Sequence, residues 1–240
     1  GEMLRYKLDV GPAAFESFTS EIATSKPLRF FNGPRILLRQ LLSRKFRLQA
    51  VFAEEEFLTN QSVQSIVPRN AYPSVFALLG VVNSRLLSWY FCQINLVARR
   101  DDFPKTIIKQ TRELPFPSFE GAAHKKPHDT LVAHVERMLK LHGQLAAAKS
   151  PHEQTHVQRD IAATDRAIDQ LVYQLYGLTP DEKWDARHNP GRPGPGTRWA
   201  PVLGVIAALM VGGAVLMGTI AYGGQKFFEW QLENEPATRR

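Results

Sequence analysis

Residues 35–67, RILLRQLLSRKFRLQAVFAEEEFLTNQSVQSIV, decide how the front half of this chain folds. Three apolar runs stand in it: Arg35–Leu42 (RILLRQLL), Phe46–Phe52 (FRLQAVF) and Phe57–Val67 (FLTNQSVQSIV). Charged breaks at Ser43–Lys45 and Ala53–Glu56 separate them. Branched and aromatic residues suit a pleated, half-buried surface, and breaks this short leave room for tight connections only. The pattern predicts two or three antiparallel strands. RILLRQLL taken alone also fits a turn of helix, because a short apolar run does not fix its own period.

Downstream, Phe76, Leu79, Val82 and Leu86 recur at three- and four-residue steps, as do Leu87, Tyr90 and Phe91, which predicts a helix over 72–96. Residues 103–119 carry Pro104, Pro115 and Pro117 and should be extended, with one strand around Thr106–Ile108. The clearest pattern lies at 128–176. A first helix carries Leu131, Val135, Met138 and Leu145, and a second carries Val157, Ile161, Thr164, Ile168, Leu171 and Leu175. The second set alternates steps of four and three, the seam of a coiled coil. Between them Ser150-Pro151-His152-Glu153 offers a capping box with proline at the first helical position, and Gly177 offers a left-handed stop. This is an antiparallel helical hairpin with arms on the order of 30–40 Å long. Upstream, Pro12, Pro27, Gly33 and Pro34 mark residues 1–34 as an irregular lead-in.

After the hairpin, residues 181–198 are polar and rich in proline and glycine (NPGRPGPG), a flexible linker. Residues 200–224 hold no charge, are long enough to span a bilayer, and are flanked by Trp199 and Tyr222. Gly204, Ala208 and Gly212 share one face at four-residue spacing. The reading is a candidate transmembrane helix at 199–225 and a polar tail at 226–240; a buried segment is the alternative. Lys183, Arg187, Arg192 and Arg198 before the span place that side in the cytoplasm, with the helix as an inner-membrane anchor. The expected fold is α+β: a lead-in (1–34) continuing a missing upstream domain, a small, mostly antiparallel recognition domain with helices (35–126), the hairpin (127–180), linker, candidate span and tail.

No motif for catalysis is present. There is no Gly-x-Gly-x-x-Gly, no Walker loop, no HExxH and no Asn/Asp-Pro-Pro-aromatic loop for a flipped base. Asp181-Glu182-Lys183 reads as a solvated helix end. The single cysteine, Cys92, follows Trp89, Tyr90 and Phe91 and reads as a buried inert thiol, so neither a disulfide framework nor a cysteine zinc site is expected. His134 and His142 could share a helix face, but no carboxylate completes a metal set; the histidines read as solvated helix surface. No catalytic or metal-ligating residue is expected. Charge is more informative. The chain is +7 overall, yet residues 26–112 hold 14 Lys/Arg against 5 Asp/Glu, which leaves the rest slightly acidic. Arg35, Arg39, Arg44, Lys45 and Arg47 crowd into the strand region, with Gln40, Gln49, Asn60, Gln61 and Gln64 around them. Guanidinium and ammonium groups neutralise phosphates and pair with guanine; amides suit adenine edges. The candidate DNA contacts are therefore Arg35, Arg39, Arg44, Lys45, Arg47, Asn60, Gln61, Arg69, Lys105 and Lys109. Scatter over opposite faces, or ion pairs with Glu54–Glu56 and Asp101–Asp102, would count against them.

Five stretches come in a telling order: GPRILLRQ (33–40), EEEFLTNQSVQSIVP (54–68), FALLGVVNSRLLSWYF (76–91), FPKTIIKQTRELPFP (103–117) and LAAAKSPHEQTHVQRDIAATDRAIDQLVYQLYGLT (145–179). Over roughly residues 27–180 this resembles the C-terminal specificity domain of TaqI-like and Eco57I-like adenine-specific DNA methyltransferases of restriction-modification systems. The most specific pieces are TNQS (Thr59–Ser62), NSRLL (Asn83–Leu87), RELPFP (Arg112–Pro117) and DRAIDQLVYQLYGLT (Asp165–Thr179). The resemblance implies a module that holds double-stranded DNA beside a base flipped by a catalytic methyltransferase domain or subunit. S-adenosylmethionine is then expected on that missing domain, and no cofactor on this chain. The linker and the hydrophobic stretch 200–224 depart from the family pattern. They leave two other readings: a membrane-anchored adaptor whose hairpin binds a protein, and a non-functional piece of a split methyltransferase gene.

Overall fold

The alternation in RILLR becomes the central strand of a three-stranded sheet. The computed structural model describes residues 2–9, 28–57, 59, 62–68, 73–95, 106, 108–119 and 121–178. Strand β3 (Arg35–Arg39) lies between β4 (Ala50–Ala53) and β5 (Val63–Ile66), antiparallel to both. The register pairs Ile36 with Phe52 and Ile66, and Leu37 with Val51 and Ser65. Because side chains alternate across a strand, Ile36, Leu38, Ala50, Phe52 and Ile66 turn to the main core, while Arg35, Leu37, Arg39, Val51, Ala53 and Val63 share the other face.

Residues 2–9 are not irregular. They form a second, two-stranded sheet, β1 (Glu2–Leu4) and β2 (Lys7–Asp9), with Met3 opposite Leu8. Its turn residue Tyr6 sits at φ 61 with its ring buried in the main core, and its backbone N–H donates to Ala50 O at 3.0 Å. Met3 and Leu8, with Phe57, cover the small apolar patch of Leu37, Val51 and Ala53. Strands of three residues carry too little period to read from sequence; residues 10–27 of the expected lead-in lie outside the described residues.

The helix expected over 72–96 is two helices, α1 (Val75–Asn83) and α2 (Arg85–Ile94), meeting at 61°. Ser84 makes the break. Its Oγ donates to Val81 O at 2.7 Å, closing α1, and accepts from Leu87 N at 3.2 Å, capping α2. Where a strand is expected around Thr106–Ile108, a helix, α3 (Ile108–Arg112), begins at Ile108, and Ile107 lies outside the described residues. The extended signal survives as one backbone bond, Thr106 N to Gln40 O at 2.6 Å.

The hairpin is present as α4 (Ala122–Ala147) and α5 (Pro151–Leu175). Ser150 and Glu153 form the capping box, with both bonds at 3.2 Å. Gly177 at φ 64 ends α5 in a Schellman motif: Gly177 N reaches Gln174 O and Leu178 N reaches Tyr173 O, each at 3.0 Å. The pair is not a coiled coil. In α5 the buried apolar positions are Ile168, Val172 and Tyr173, with Thr164 before them, while Ile161, Leu171 and Leu175 are only partly buried. The seam drifts because the base of the hairpin packs on other helices as well as on its own partner, α4 on α1 and α5 on α2; none of residues 142–163 is fully buried.

Gly80 of α1 allows that packing. A Cβ there would lie 2.9 Å from both Leu131 Cδ1 and Val135 Cγ2 of α4. Alanine gains about 1 kcal/mol of helix propensity over glycine, but overpacking costs about 1–3 kcal/mol. Gly80→Ala should therefore lower the urea midpoint; a raised midpoint would show that α4 yields freely.

The linker (181–198), candidate span (199–225), tail (226–240), Asp101–Asp102 and Asp181–Lys183 lie outside the described residues. Among those described, no single helix is long and apolar enough to cross a membrane.

Candidate nucleic-acid interface

The ten candidate contacts separate by environment. Arg35 is 0% exposed. Its Nη1 donates to Gly33 O at 2.9 Å, its Nη2 to Glu55 O at 2.8 Å, and its guanidinium lies 4.7 Å from the Phe57 ring centroid. It ties β3 to the segment after β4 through backbone carbonyls, not through the Glu54–Glu56 carboxylates. Arg47 is 9% exposed and donates from Nη2 to Asn83 O at 2.6 Å. Burial, helped by the Arg5 charge, pushes it down to about 10. Neither side chain presents its charge to a duplex. The sequence could not tell them from surface cations, because arginine in a strand carries no mark of whether a carbonyl waits for it.

Arg44 and Lys45 are exposed. They occupy a turn that the chain holds firmly: Phe46 N donates to Ser43 O at 2.8 Å, Ser43 N to Arg47 O at 2.9 Å, and Arg47 N to Ser43 Oγ at 3.0 Å. Phe46 is left-handed at φ 54, and its carbonyl lies 3.8 Å from the buried Cys92 Sγ. Arg39 is half-buried, with Nη1 donating to Gln49 Oε1 at 3.2 Å. Asn60, Gln61, Arg69 and Lys105 lie outside the described residues; so does the side chain of Lys109, which stands on α3.

The amides expected at base edges are partly consumed. Gln64 donates to Thr106 O at 3.2 Å and to Thr106 Oγ1 at 3.0 Å, and its Oε1 accepts from Thr111 Oγ1 at 3.0 Å. It fastens β5 to the segment leading into α3.

Sequence reasoning missed a polar joint. Arg5, in the β1–β2 turn, donates to both oxygens of Asp165 on α5 at 2.6 and 3.1 Å and to Asn83 O at 3.2 Å. Asn83 pairs its amide with Ala50, Nδ2 to Ala50 O at 2.9 Å and Ala50 N to Oδ1 at 3.0 Å. Arg85 reaches Asp169 through its backbone N at 2.8 Å and Nε at 3.1 Å. Two family-like pieces, NSRLL and DRAIDQ, thus meet each other. A second pair does too: Tyr176 OH donates to Pro115 O, joining YGLT to RELPFP. The available signal was Asp165 and Asp169, four residues apart and so on one helix face, beside the apolar positions Ile168 and Val172.

Three histidines are not solvated surface; His134 is half-buried on α4. His128 is buried; its Nε2 accepts from Ser74 N at 3.0 Å, which puts the proton on Nδ1, 2.9 Å from Asp129 Oδ1. A ring whose acceptor nitrogen already holds a backbone N–H is no base for catalysis. His142 is half-buried beside Tyr6, with centroids 6.3 Å apart, and burial with Arg5 and Lys7 pushes it down. His124, His152 and His156 are exposed.

Residues 1–116 match a family model described as the TaqI-like C-terminal specificity domain. The match takes in the β1–β2 hairpin and stops before α4. The chain is also 24% identical over 187 residues, 76% of its length, to the Methanocaldococcus jannaschii protein named "Putative type II restriction enzyme and methyltransferase RM.MjaORFECS2P". It spans 15% of the length of that relative.

Proposed function

We propose, from the match of residues 1–116 to the TaqI-like C-terminal specificity domain model, that the chain is a DNA target-recognition module of a restriction-modification methyltransferase. The observation that carries the proposal is the Arg44–Lys45 pair, exposed on a turn pinned by Ser43 and Arg47. Two cations that project from a fixed backbone grip phosphates without first giving up backbone freedom. The partners are double-stranded DNA and a catalytic methyltransferase domain or subunit; adenine is the base methylated, as the family resemblance implies. Nothing among the described residues offers the glycine-rich strand-to-helix turn that a methyl donor needs. The proposal therefore leaves S-adenosylmethionine and the flipped base to the catalytic domain and routes no chemistry through this chain.

A duplex titration of the 240-residue chain across salt concentrations tests it. Log affinity should fall linearly with log salt, because each phosphate contact releases counterions. In Arg44→Ala/Lys45→Ala the slope should shrink by about 2, one for each lost contact. Salt-independent binding, or none, would sink the proposal.

A further inference from the structure

Two arginines of β3 stand four residues apart on the same sheet face and meet opposite fates. At the Ala53 end Arg35 is sealed under Phe57. In the middle, Leu37 and Val51 are covered by Met3 and Leu8. At the other end the cover stops among the described residues. Arg39, opposite Val63, is half-buried there, and the chain then runs into the exposed Arg44–Lys45 turn. The Arg39 guanidinium is held through Nη1 by the carboxamide of Gln49, itself 6% exposed.

That arrangement differs from the paired arginines in a way that matters chemically. Arg5 and Arg85 give their charge to Asp165 and Asp169. Gln49 is neutral, so it orients Arg39 without cancelling its charge. Among the described residues the other N–H groups of Arg39 make no bond, which leaves the Nε/Nη2 edge to donate. A phosphate does not need a fixed fork; Arg44 and Lys45 suffice for that. A fork held in one plane is what a base edge with two acceptors requires, and guanine, through O6 and N7, presents that pattern in the major groove.

We propose that Arg39 reads a guanine edge in duplex DNA and that Gln49 is its positioning residue. The inference rests on the DNA-recognition reading. It divides the labour: Arg44 and Lys45 set affinity, and Arg39 sets preference at one base pair.

Selection from a randomised duplex pool by the full chain tests it, alongside Arg39→Lys and Gln49→Leu, with unfolding midpoints as the check on folding. The wild type should enrich guanine at one fixed position. Arg39→Lys keeps the charge but loses the fork, and should lower that preference on the order of tenfold to a hundredfold while the salt slope stays. Gln49→Leu should weaken the same preference with the slope again unchanged; it carries the test alone if Arg39→Lys does not fold. Retained preference in both variants, or affinity lost evenly over all sequences, overturns the assignment while the recognition reading stands. A wild-type chain that binds no duplex sinks both.

Discussion

An Arg5→Ala protein is expected to lose about 3 kcal/mol of stability, the low end of what removing one partner of a buried ion pair costs. The low end applies because the two side chains keep 25% and 14% of their surface. What remains is the Asp165 carboxylate on α5 without its fork, and an Asn83 carbonyl with one donor fewer. Burial alone would raise Asp165, but the Arg5 bonds and charge hold it below its ordinary value. A carboxyl depressed in the folded state contributes stability that is whole above its unfolded pKa of about 3.9. That contribution is lost as the pH falls through the folded value. The gap between wild type and Arg5→Ala should therefore be full at pH 7 and close below about pH 4. Asp169 moves the other way. Burial raises it against the pull of Arg47, so its contribution is present below the unfolded pKa and fades as the pH rises through the folded one. Asp169 is present in both proteins, so only the part of its titration that feels Arg5 and Asp165 enters the difference. Urea unfolding at pH 7 and pH 3 measures the gap; an equal gap at both would mean that Arg5 acts through packing rather than charge.

The joint also shows why part of the fold was legible in the sequence and part was not. The β3–β5 sheet and the α4–α5 hairpin announce themselves through local period and caps: RILLR between turn residues, Ser150 to Glu153, Gly177. The α1–α2 break falls on the polar triplet Asn83-Ser84-Arg85, but the three- and four-residue apolar period steps across it, so one hydroxyl that closes one helix and opens the next does not show in the period. The candidate interface was legible only as charge. Arg35, Arg39, Arg44, Lys45 and Arg47 read alike. What separates them is long-range: a carbonyl of Glu55 for Arg35, a carbonyl of Asn83 for Arg47, an amide of Gln49 for Arg39. The family-like pieces carried the same ambiguity. NSRLL and DRAIDQ are among the most specific pieces of the resemblance, yet Asn83 is spent on Ala50, Arg85 on Asp169, and Asp165 on Arg5. They hold the module to its hairpin.

Asn83→Ala separates bracing from recognition most sharply. Asn83 is 0% exposed, and its amide behaves as one more residue of sheet along the outer edge of β4. With alanine, Ala50 O keeps the Tyr6 N–H, but Ala50 N–H is left buried without an acceptor. An orphaned buried donor costs about 1–3 kcal/mol and the lost bonds about 1 more, so the expected loss is about 2–4 kcal/mol. Asn83→Asp sharpens the argument. Ionised, it sets a carboxylate oxygen against Ala50 O; protonated, it offers one donor and one acceptor in the places of the amide. Burial and the facing Ala50 O raise the folded pKa of such a carboxyl against the pull of Arg5 and Arg47 beside it, so its stability is fullest below about pH 4 and is lost as the pH rises through the folded value. The aspartate protein should therefore approach the wild type in acid and fall away from it at pH 7, while Asn83→Ala stays low throughout. Among molecules that remain folded, neither change should alter the salt slope of duplex binding, because neither touches Arg44 or Lys45. A slope that falls with Asn83→Ala would place the α1–α2 joint on the DNA itself.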